Sequence, residues 1–216
     1  MKKLLSYILV VSLSIPTMAQ KSLSTGTIKY NVDIESAKSG TPKMNNFSFI
    51  VFLTANKSRT DVISNLGTES TVYDASLNKG FILKEYSGQK LMITATRQNW
   101  VDKNKANNDL NFIMEEGITV ISGYTCKKAS AVGQDGKKII VFFTTSVTLA
   151  NDNYNGSFPQ LQGLPVKYEV SNGNLTLTYT LDTVSLDAVP GSTFAAPTQG
   201  YRVMTYDENR QLKIND

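Results

Sequence analysis

The stretch KKASAVGQDGKKIIVFFTT, residues 127 to 145, carries an Asp-Gly dipeptide between two runs of residues that favour β-strands. Asp135-Gly136 readily supplies the positive φ angles at both centres of a two-residue type I′ turn, so the stretch predicts an antiparallel hairpin. Asn172-Gly173 predicts a second hairpin in the same way, between residues 165–171 and 174–186. Together the two hairpins indicate a fold built largely from antiparallel strands.

The chain on the N-terminal side of these hairpins alternates between apolar and polar residues. Ile28, Tyr30 and Val32 would point to one face of a strand, while Lys29 and Asn31 would point to the other. This pattern predicts a half-buried strand. Similar strands are predicted at residues 47–54, 57–63, 70–74, 80–86 and 90–96.

One window departs from the period of two. Residues 101–116 place Leu110, Ile113 and Met114 at helical spacing and end at Gly117, which predicts a helix. A short second helical turn is predicted near residues 146–152.

Two predicted strands are apolar on both faces. The segments Phe49–Leu53 and Ile139–Phe143 contain no polar residue, so a sheet with one wet face does not explain them. Either a helix covers the second face, or that face lines an apolar cavity or a protein interface. The sequence leaves these alternatives open.

Cys126 is the single cysteine of the chain. A two-residue loop at Asp135-Gly136 would place Cys126 opposite Thr145, in the middle of the sheet. A cysteine in that position behaves as a small hydrophobic residue. An intermolecular disulfide and a reactive thiol are the alternatives, and a reactive thiol requires an electropositive, exposed setting.

The first residues, MKKLLSYILVVSLSIPTMAQ, have the organisation of an export signal. Lys2 and Lys3 precede a short apolar run, and Ala19 ends a pattern that a signal peptidase accepts. We expect a signal peptide over residues 1–19 and one domain over residues 20–216, located in the periplasm or secreted. No later stretch approaches the roughly 18 apolar residues of a membrane span, so the protein is predicted not to span a membrane.

Histidine is absent from the 216 residues. Without an imidazole the chain cannot build a Ser-His-Asp triad, a Cys-His pair or a His-containing zinc site. Carboxylate pairs, Lys or Tyr bases and oxygen-ligand metal sites stay open, so the composition disfavours an enzyme without eliminating it. We expect no catalytic residue, no cofactor and no metal site. The formal net charge is +4, and the signal lysines account for half of it, which argues against a nucleic-acid partner.

Residues 151–162, NDNYNGSFPQLQ, imitate the spacing of a calcium-binding loop. An EF-hand loop begins with Asp and ends with a bidentate Glu, whereas this segment has Asn151 and Gln162 at those positions. The sequence therefore predicts a solvated, asparagine-rich loop without calcium.

Five apolar residues are candidates for the lining of a pocket between the helix and the sheet: Trp100, Phe112, Met114, Phe142 and Phe143. Ligand pockets are largely apolar and aromatic. The same residue types also fill ordinary cores, and the spacing of these five does not distinguish the two roles.

Three segments resemble the GLPGLI family and a neighbouring Bacteroidetes-type secreted domain family of unknown function. ISGYTCKKA (121–129) is similar to their Gly-Tyr-x-Cys-(Lys/Arg)-Lys-Ala motif, FPQLQGLPVKYEV (158–170) to the Gly-Leu-Pro box, and FAAPTQGYRVM (194–204) to the Phe-x-x-Pro-x-Gly-Tyr ending of the neighbouring family. After Gly-Leu-Pro the chain continues with Val-Lys-Tyr instead of Gly-Leu-Ile, so the neighbouring family matches better. The matched positions are Gly123, Tyr124, Cys126, Gly163, Leu164, Pro165, Pro197, Gly200 and Tyr201.

The resemblance implies an envelope protein of a Gram-negative bacterium with the architecture of LolA/LolB-type lipoprotein carriers. The fold class expected is mainly β with minor α: a strongly curved antiparallel sheet that forms an incomplete barrel, with a helix over its concave face. The family implies no catalytic residue, because no reaction is assigned to it.

Two functions are consistent with these features. The first is a non-catalytic binding module for an apolar ligand, such as a lipid or an acyl chain, held inside the curved sheet. The second is a structural or interaction protein of the envelope that binds a protein partner through a sheet face or edge and has no small-molecule ligand.

Overall fold

The computed structural model describes residues 21–38 and 44–214, so the predicted signal peptide lies outside the described residues. The strands are β1 (Lys21–Leu23), β2 (Gly26–Ser36), β3 (Met44–Leu53), β4 (Lys57–Ser64), β5 (Gly67–Asp74), β6 (Lys79–Tyr86), β7 (Gln89–Thr96), β8 (Ile113–Ile121), β9 (Tyr124–Val132), β10 (Lys138–Thr144), β11 (Val147–Leu149), β12 (Leu164–Asn172), β13 (Leu175–Ser185) and β14 (Arg202–Thr205). The helices are α1 (Arg97–Asn108), α2 (Tyr206–Ile214) and a short 3-10 helix, Gly191–Phe194.

Twelve of these strands form one sheet in the order β14-β7-β6-β5-β4-β3-β2-β13-β12-β10-β9-β8. The pairing of β2 with β13 joins an N-terminal meander, β2 to β7, to a C-terminal set of strands that ends at β8. The pairs of the sheet are antiparallel except β14 with β7, which is parallel. Because β14 and β8 stand at opposite ends of the order, the curved sheet stays open, which confirms the predicted mainly β half-barrel.

The Asp135-Gly136 hairpin forms, but its register differs by one residue from the prediction. Lys138 pairs with Val132 and Phe143 pairs with Lys127, a register that would set Cys126 against Thr144 instead of Thr145. The backbone N–H of Gly133 donates to the Lys137 carbonyl, so the loop contains three residues instead of two. Gly136, at φ +76°, supplies the single left-handed residue that such a loop needs.

The second hairpin also forms, one residue further along the chain than predicted. Asn172 pairs with Leu175, which leaves Gly173 and Asn174 as the two-residue loop. Gly173 has φ +59°, as the first central residue of a type II′ turn requires. The predicted Asn172-Gly173 turn is therefore wrong in position, although the strands and their pairing direction are correct.

The predicted helix at residues 101–116 is wrong at both ends. Helix α1 begins earlier because the Thr96 side chain accepts from the Asn99 backbone N–H, and the Asn99 side chain accepts from the Thr96 N–H. The residues from Ile113 onward belong to β8, where a register shift between Glu115 and Ile118 had disguised a strand as a helical pattern. The second predicted turn is wrong too, since that segment contains β11, paired in parallel with β1.

The two faces of the sheet differ in what covers them. In β2 the side chains of Ile28, Tyr30 and Val32 are buried, and those of Lys29 and Asn31 are not. We call the face that carries Tyr30 the inner face and the opposite one the outer face. The hydrophobic core lies on the inner face and spans both halves of the sheet.

A loop, residues 150–163, covers the middle of the inner face, and we call it the core loop. Its side chains Tyr154, Phe158 and Leu161 are buried in the main core. The Phe158 ring stands edge-on to Tyr168, with 5.2 Å between centroids, and edge-on to Phe112 at 5.7 Å. The prediction of a solvated loop is therefore wrong, because apolar residues spaced along the segment bury themselves against the sheet.

The asparagines that imitated calcium ligands bind protein groups instead. The Asn151 side-chain amide donates to the Thr54 carbonyl at 2.8 Å. Trp100 Nε1 donates to Asn153 Oδ1 at 2.8 Å, and Ser58 Oγ donates to the Asn153 carbonyl at 2.9 Å. These bonds fasten the core loop to β4 and to α1.

The two strands that are apolar on both faces, β3 and β10, are buried on the inner face and partly exposed on the outer face. Val51 and Val141 lie in the inner core. On the outer face, Ile50 and Phe142 are half-buried, and the Lys128 ammonium lies 6.0 Å from the Phe142 ring centroid. A helix covers neither outer face among the described residues, so part of the apolar surface stays accessible.

Removing the Phe158 ring tests the contribution of the core loop. We expect Phe158→Ala to lower the free energy of unfolding by about 3–5 kcal/mol, since it leaves a cavity between the loop and the sheet. Gln162→Ala, an exposed position of the same loop, should change it by less than about 0.5 kcal/mol. Urea unfolding of both variants measures the difference. Equal stability of the two variants would contradict a packed core loop.

Candidate functional site

The motif cysteine lies inside the core. Cys126 is fully buried in β9, and its Sγ lies 3.3 Å from the Tyr124 carbonyl oxygen. Burial raises the pKa of the thiol, which disfavours the thiolate needed for a reactive site. Tyr124, its neighbour in the motif, is half-buried.

The glycine of the same motif forms the turn between β8 and β9. Ser122 and Gly123 have φ angles of +49° and +79°, and Ile121 pairs with Tyr124 across them. These angles define a type I′ hairpin. The Ser-Gly dipeptide was the sequence signal for this hairpin, and the helical spacing before it concealed the strand.

The Gly-Leu-Pro box joins the core loop to β12. A Cβ at Gly163 would lie 2.3 Å from the Thr144 carbonyl oxygen, so no other residue fits there without backbone movement. Leu164 is fully buried. Pro165 lies opposite Phe143 at a bulge of the β10–β12 pair, where its missing N–H is tolerated. The Tyr30 hydroxyl donates to the Pro165 carbonyl at 2.9 Å.

The C-terminal motif attaches the segment that precedes β14 to strands β6 and β7. The Tyr201 hydroxyl donates to the Glu85 carboxylate, and Lys90 pairs with the same carboxylate at 3.1 Å. Lys90 Nζ also lies 5.5 Å from the Tyr201 ring centroid. Gly200 has φ +84°, and Pro197 is half-buried before it. The motif residues of the three segments thus lie in tight turns, at closely packed positions and in a network of hydrogen bonds and ion pairs at the surface.

The five predicted pocket residues lie in separate places. Trp100 is buried and stacks on Tyr73, with 4.2 Å between ring centroids. Phe112 packs at the rim of the main core beside Phe158. Met114 and Phe143 line one groove, and Phe142 lines a different, shallow one on the outer face. The structure brings two of the five together, and their role in binding stays a prediction.

An apolar cavity lies on the outer face of the sheet. We call it the outer cleft: it has a volume of about 690 Å³, and Val72, Phe81 and Met92 form its floor on β5, β6 and β7. Val72 and Tyr73 are neighbours on one strand and point to opposite faces, so the floor lies behind the α1 side of the sheet. Sequence periodicity does not indicate this site, because its floor and its wall come from segments that are far apart in the chain.

The chain segment between β13 and β14 forms the wall of the outer cleft. Phe194 and Ala196 line the cavity. Arg59 Nη1 donates to the Thr193 carbonyl at 2.9 Å, and Arg59 Nε pairs with Asp61 at 2.7 Å. These bonds hold the 3-10 helix on the outer face of β4 and β5.

The mouth of the outer cleft is polar. Lys57 and Asp74 pair there at 3.1 Å, and hydrogen bonding to Ser76 and Lys57 lowers the pKa of Asp74 against the opposing effect of burial. Thr96 and Thr205, the residues that cap α1 and α2, lie at the same end. An apolar floor below a polar mouth is an arrangement suited to an amphiphilic molecule.

A second surface lies at the opposite end of the sheet. Strand β8 is an edge, and Ile113, Met114, Ile118 and Val120 are between 56% and 73% exposed. Beside it, a groove of about 580 Å³ is lined by Met114, Ile118 and Phe143 together with side chains of the core loop. We call this the edge groove.

Two kinds of feature, a cluster of metal-binding side chains and a membrane-spanning helix, are absent from the described residues. Within residues 21–38 and 44–214, no group of three His, Cys, Asp or Glu side chains is placed to hold a metal ion. Over the same ranges, no helix is both long enough and apolar enough to cross a membrane.

The comparisons with known proteins place the fold and leave the family open. No protein-family model and no curated protein matches the chain, so membership of GLPGLI or its neighbour stays a prediction. A structure of PNGF-II superposes with a TM-score of 0.52 at 14% identity, over 88% of this chain and 32% of that one. An uncharacterized conserved protein from Thermus thermophilus superposes with a TM-score of 0.51 at 10% identity, over 85% of this chain and 91% of that one.

A third structure, the Pseudomonas aeruginosa MucA/MucB complex, has a TM-score of 0.42 at 10% identity, over 80% of this chain and 56% of that one. This chain spans about a third of PNGF-II. At these identities the likeness to PNGF-II and to the Thermus thermophilus protein shows a shared fold and carries no activity with it. The strand order of the chain's own sheet defines the class of protein, an open, curved antiparallel half-barrel.

Replacing Gly163 tests the close approach in the Gly-Leu-Pro box. Gly163→Ala should destabilise the fold by about 1–3 kcal/mol, because the new Cβ would force β10 and the core loop apart. Gly191→Ala is the matched control, since a Cβ at that position meets no atom within 4 Å. Thermal unfolding compares the two, and an equally stable Gly163→Ala variant would disprove the steric constraint.

The Tyr201 hydrogen bond predicts a measurable shift at Glu85. The hydrogen bond from Tyr201 makes the largest contribution to lowering the pKa of Glu85 below 4.5, and the contact with Lys90 makes the next largest. A carboxyl with a lowered pKa stabilises the fold above its unfolded pKa, and this contribution is lost as pH falls through the folded value. Tyr201→Phe should therefore raise the pKa of Glu85 towards 4.5.

An NMR titration of the Glu85 carboxyl carbon follows this shift. Tyr206→Phe removes a hydroxyl elsewhere and should leave the Glu85 titration unchanged. Burial and the bond to Glu85 raise the pKa of Tyr201 from 10.0 to about 12, so its own contribution is complete below 10.0 and is lost as pH rises to about 12. An unshifted Glu85 titration in Tyr201→Phe would contradict the bond.

Proposed function

We propose that this protein is an exported, non-catalytic binding module of the bacterial envelope, and that it holds an apolar ligand such as a lipid or an acyl chain. The observation that carries the proposal is the outer cleft. Its volume of about 690 Å³ falls within the range of small-molecule sites, about 300–1,000 Å³.

The residues of the outer cleft suit an amphiphile in orientation as well as in volume. An acyl chain would lie on Val72, Phe81 and Met92, under the ring of Phe194. A polar head group would remain at the mouth, near Lys57 and the capping threonines. Burial of apolar surface contributes roughly 25 cal/mol per Å², so the floor supplies the affinity and the mouth supplies the orientation.

The position of the site differs from the one expected inside the curved sheet. Tyr154, Phe158 and Leu161 of the core loop occupy the middle of the inner face. Tyr30 and Tyr168 are buried beneath them. A ligand on the inner face would have to displace these packed side chains, whereas the outer cleft is already formed.

Export and the lack of catalysis are supported by the sequence. Lys2, Lys3 and the apolar run after them favour export to the periplasm or beyond. The chain contains no histidine, which removes the commonest general base. We therefore assign no reaction and no cofactor to the outer cleft.

The alternative function, an envelope interaction protein without a small-molecule ligand, is favoured by the exposed apolar side chains of β8. Soluble monomers seldom leave contiguous apolar surface open unless it binds a partner. A protein partner at β8 would not exclude a ligand in the outer cleft, since the two sites lie at opposite ends of the strand order.

Filling the outer cleft tests the proposed ligand site. Ala196 is exposed and lines the cavity, whereas its exposed neighbour Ala195 does not. Ala196→Trp should weaken the binding of a dansylated undecanoic acid at least tenfold, because the indole occupies the space of the alkyl chain. Ala195→Trp should bind the probe like the wild type. Fluorescence titration measures both affinities.

Two further results would separate the possible sites. Gln162→Ala should leave probe binding unchanged, since it alters an exposed side chain of the core loop that does not line the outer cleft. Native mass spectrometry of the mature protein, purified from its own envelope, should show a stoichiometric apolar mass that Ala196→Trp loses. A bare protein mass together with no uptake of the dansylated probe would overturn the proposal.

A further inference from the structure

Strand β8 is an edge strand with unusual surface chemistry. It has nine residues and pairs with β9 on one side, while its other side has no strand partner among the described residues. Edge strands are normally protected by charges or proline, because their free N–H and C=O groups attract other chains. The first half of β8 has such protection in Glu115, Glu116 and a bulge, whereas its second half exposes Ile118 and Val120 by 73% and 69%.

The edge groove lies directly beside this free edge. Ile118 pairs with Lys127, and Met114 pairs with Ala129, a residue of the inner core. The groove volume of about 580 Å³ is enough for several side chains of an added strand. Strand addition obtains affinity from main-chain hydrogen bonds and specificity from pockets for alternate side chains. The edge and the groove together provide both.

The charges of the edge groove indicate the chemistry of the partner. Glu115 is already engaged, with Lys128 at 2.6 Å and Lys138 at 3.1 Å, and these bonds lower its pKa to about 2. Lys127 is exposed and lines the groove. Among the charged side chains that line the groove, Lys127 and Lys128 outnumber Glu115, so the groove presents a positive charge next to its apolar wall.

The bulge in β8 limits what can pair with it. The register shifts between Glu115 and Ile118, which separates the strand into two short pairing segments. A second copy would contribute its own residues 118–121, Ile-Thr-Val-Ile, which contain no carboxylate to pair with Lys127. A short extended segment of another protein can pair with residues 118–121 without meeting the bulge.

We infer that β8 is a strand-addition site for another protein of the envelope, which contributes an extended segment with apolar residues at alternate positions and a carboxylate that pairs with Lys127. The apolar side chains enter the edge groove beside Ile118 and Phe143. This inference rests on β8 and its groove and does not depend on a ligand in the outer cleft.

Two heptapeptides of matched strand propensity test the inference. Thr-Val-Thr-Glu-Thr-Val-Thr places Val, Glu and Val on one face, and Thr-Val-Thr-Lys-Thr-Val-Thr replaces the acid by a base. Titrated into the ¹⁵N-labelled protein, the Glu peptide should shift the amide signals of residues 118–121 and 124–127. The Lys peptide should bind at least tenfold more weakly.

Variants in β8 and β9 distinguish specific binding of the peptide at this edge from nonspecific binding elsewhere on the protein. Lys127→Glu should reverse the preference, so that the Lys peptide binds more tightly than the Glu peptide. Val120→Lys should abolish binding of the Glu peptide, because it places a charge on the free edge. Leu66→Lys is the control: Leu66 is 71% exposed in the β4–β5 turn, and its replacement should leave binding unchanged.

Three outcomes would overturn the inference. One is the absence of amide shifts in β8 with the Glu peptide at millimolar concentration. Another is equal binding of both peptides to the wild type and to Lys127→Glu. The third is a dimer in sedimentation velocity that Val120→Lys dissociates, since the occupant of the edge would then be a second copy of this chain.

Discussion

The edge-on contact between Phe158 and Tyr168, with ring centroids 5.2 Å apart, is the interaction on which the architecture depends. An open sheet has an apolar inner face that must be covered, and α1 packs on its β5–β7 part. The core loop supplies the missing layer. Because Asn151 and Asn153 also bond the loop to β4 and α1, packing and hydrogen bonding hold it in one place.

Covering the inner face in this way leaves binding surface elsewhere. The segment that returns from β13 to β14 crosses the outer face of the N-terminal strands, and the gap beneath Phe194 becomes the outer cleft. No such segment covers the outer face of β10 among the described residues, where Lys128 shields Phe142. The two ends of one sheet therefore have different surfaces: a cleft at one end and a free apolar edge at the other.

Local signals predicted the strands well and predicted their registers poorly. The alternation in β2 and the turn dipeptides are properties of neighbouring residues, so the strands they imply exist. The register at Asp135-Gly136 was wrong by one residue because a three-residue loop with Gly136 left-handed competes closely with the two-residue turn. The pattern at Ile113 and Met114 indicated a helix because the bulge after Glu115 breaks the strand period.

The sequence by itself determined the antiparallel class of the fold and the absence of imidazole chemistry, because these follow from local pattern and composition; the burial of Cys126 came from the tertiary structure. Only the tertiary structure decided where space remains. A cleft such as the one under Phe194 forms between segments far apart in the chain, and a free edge such as β8 depends on which strands lack a neighbour. Both are set by long-range packing, which periodicity along the sequence does not report.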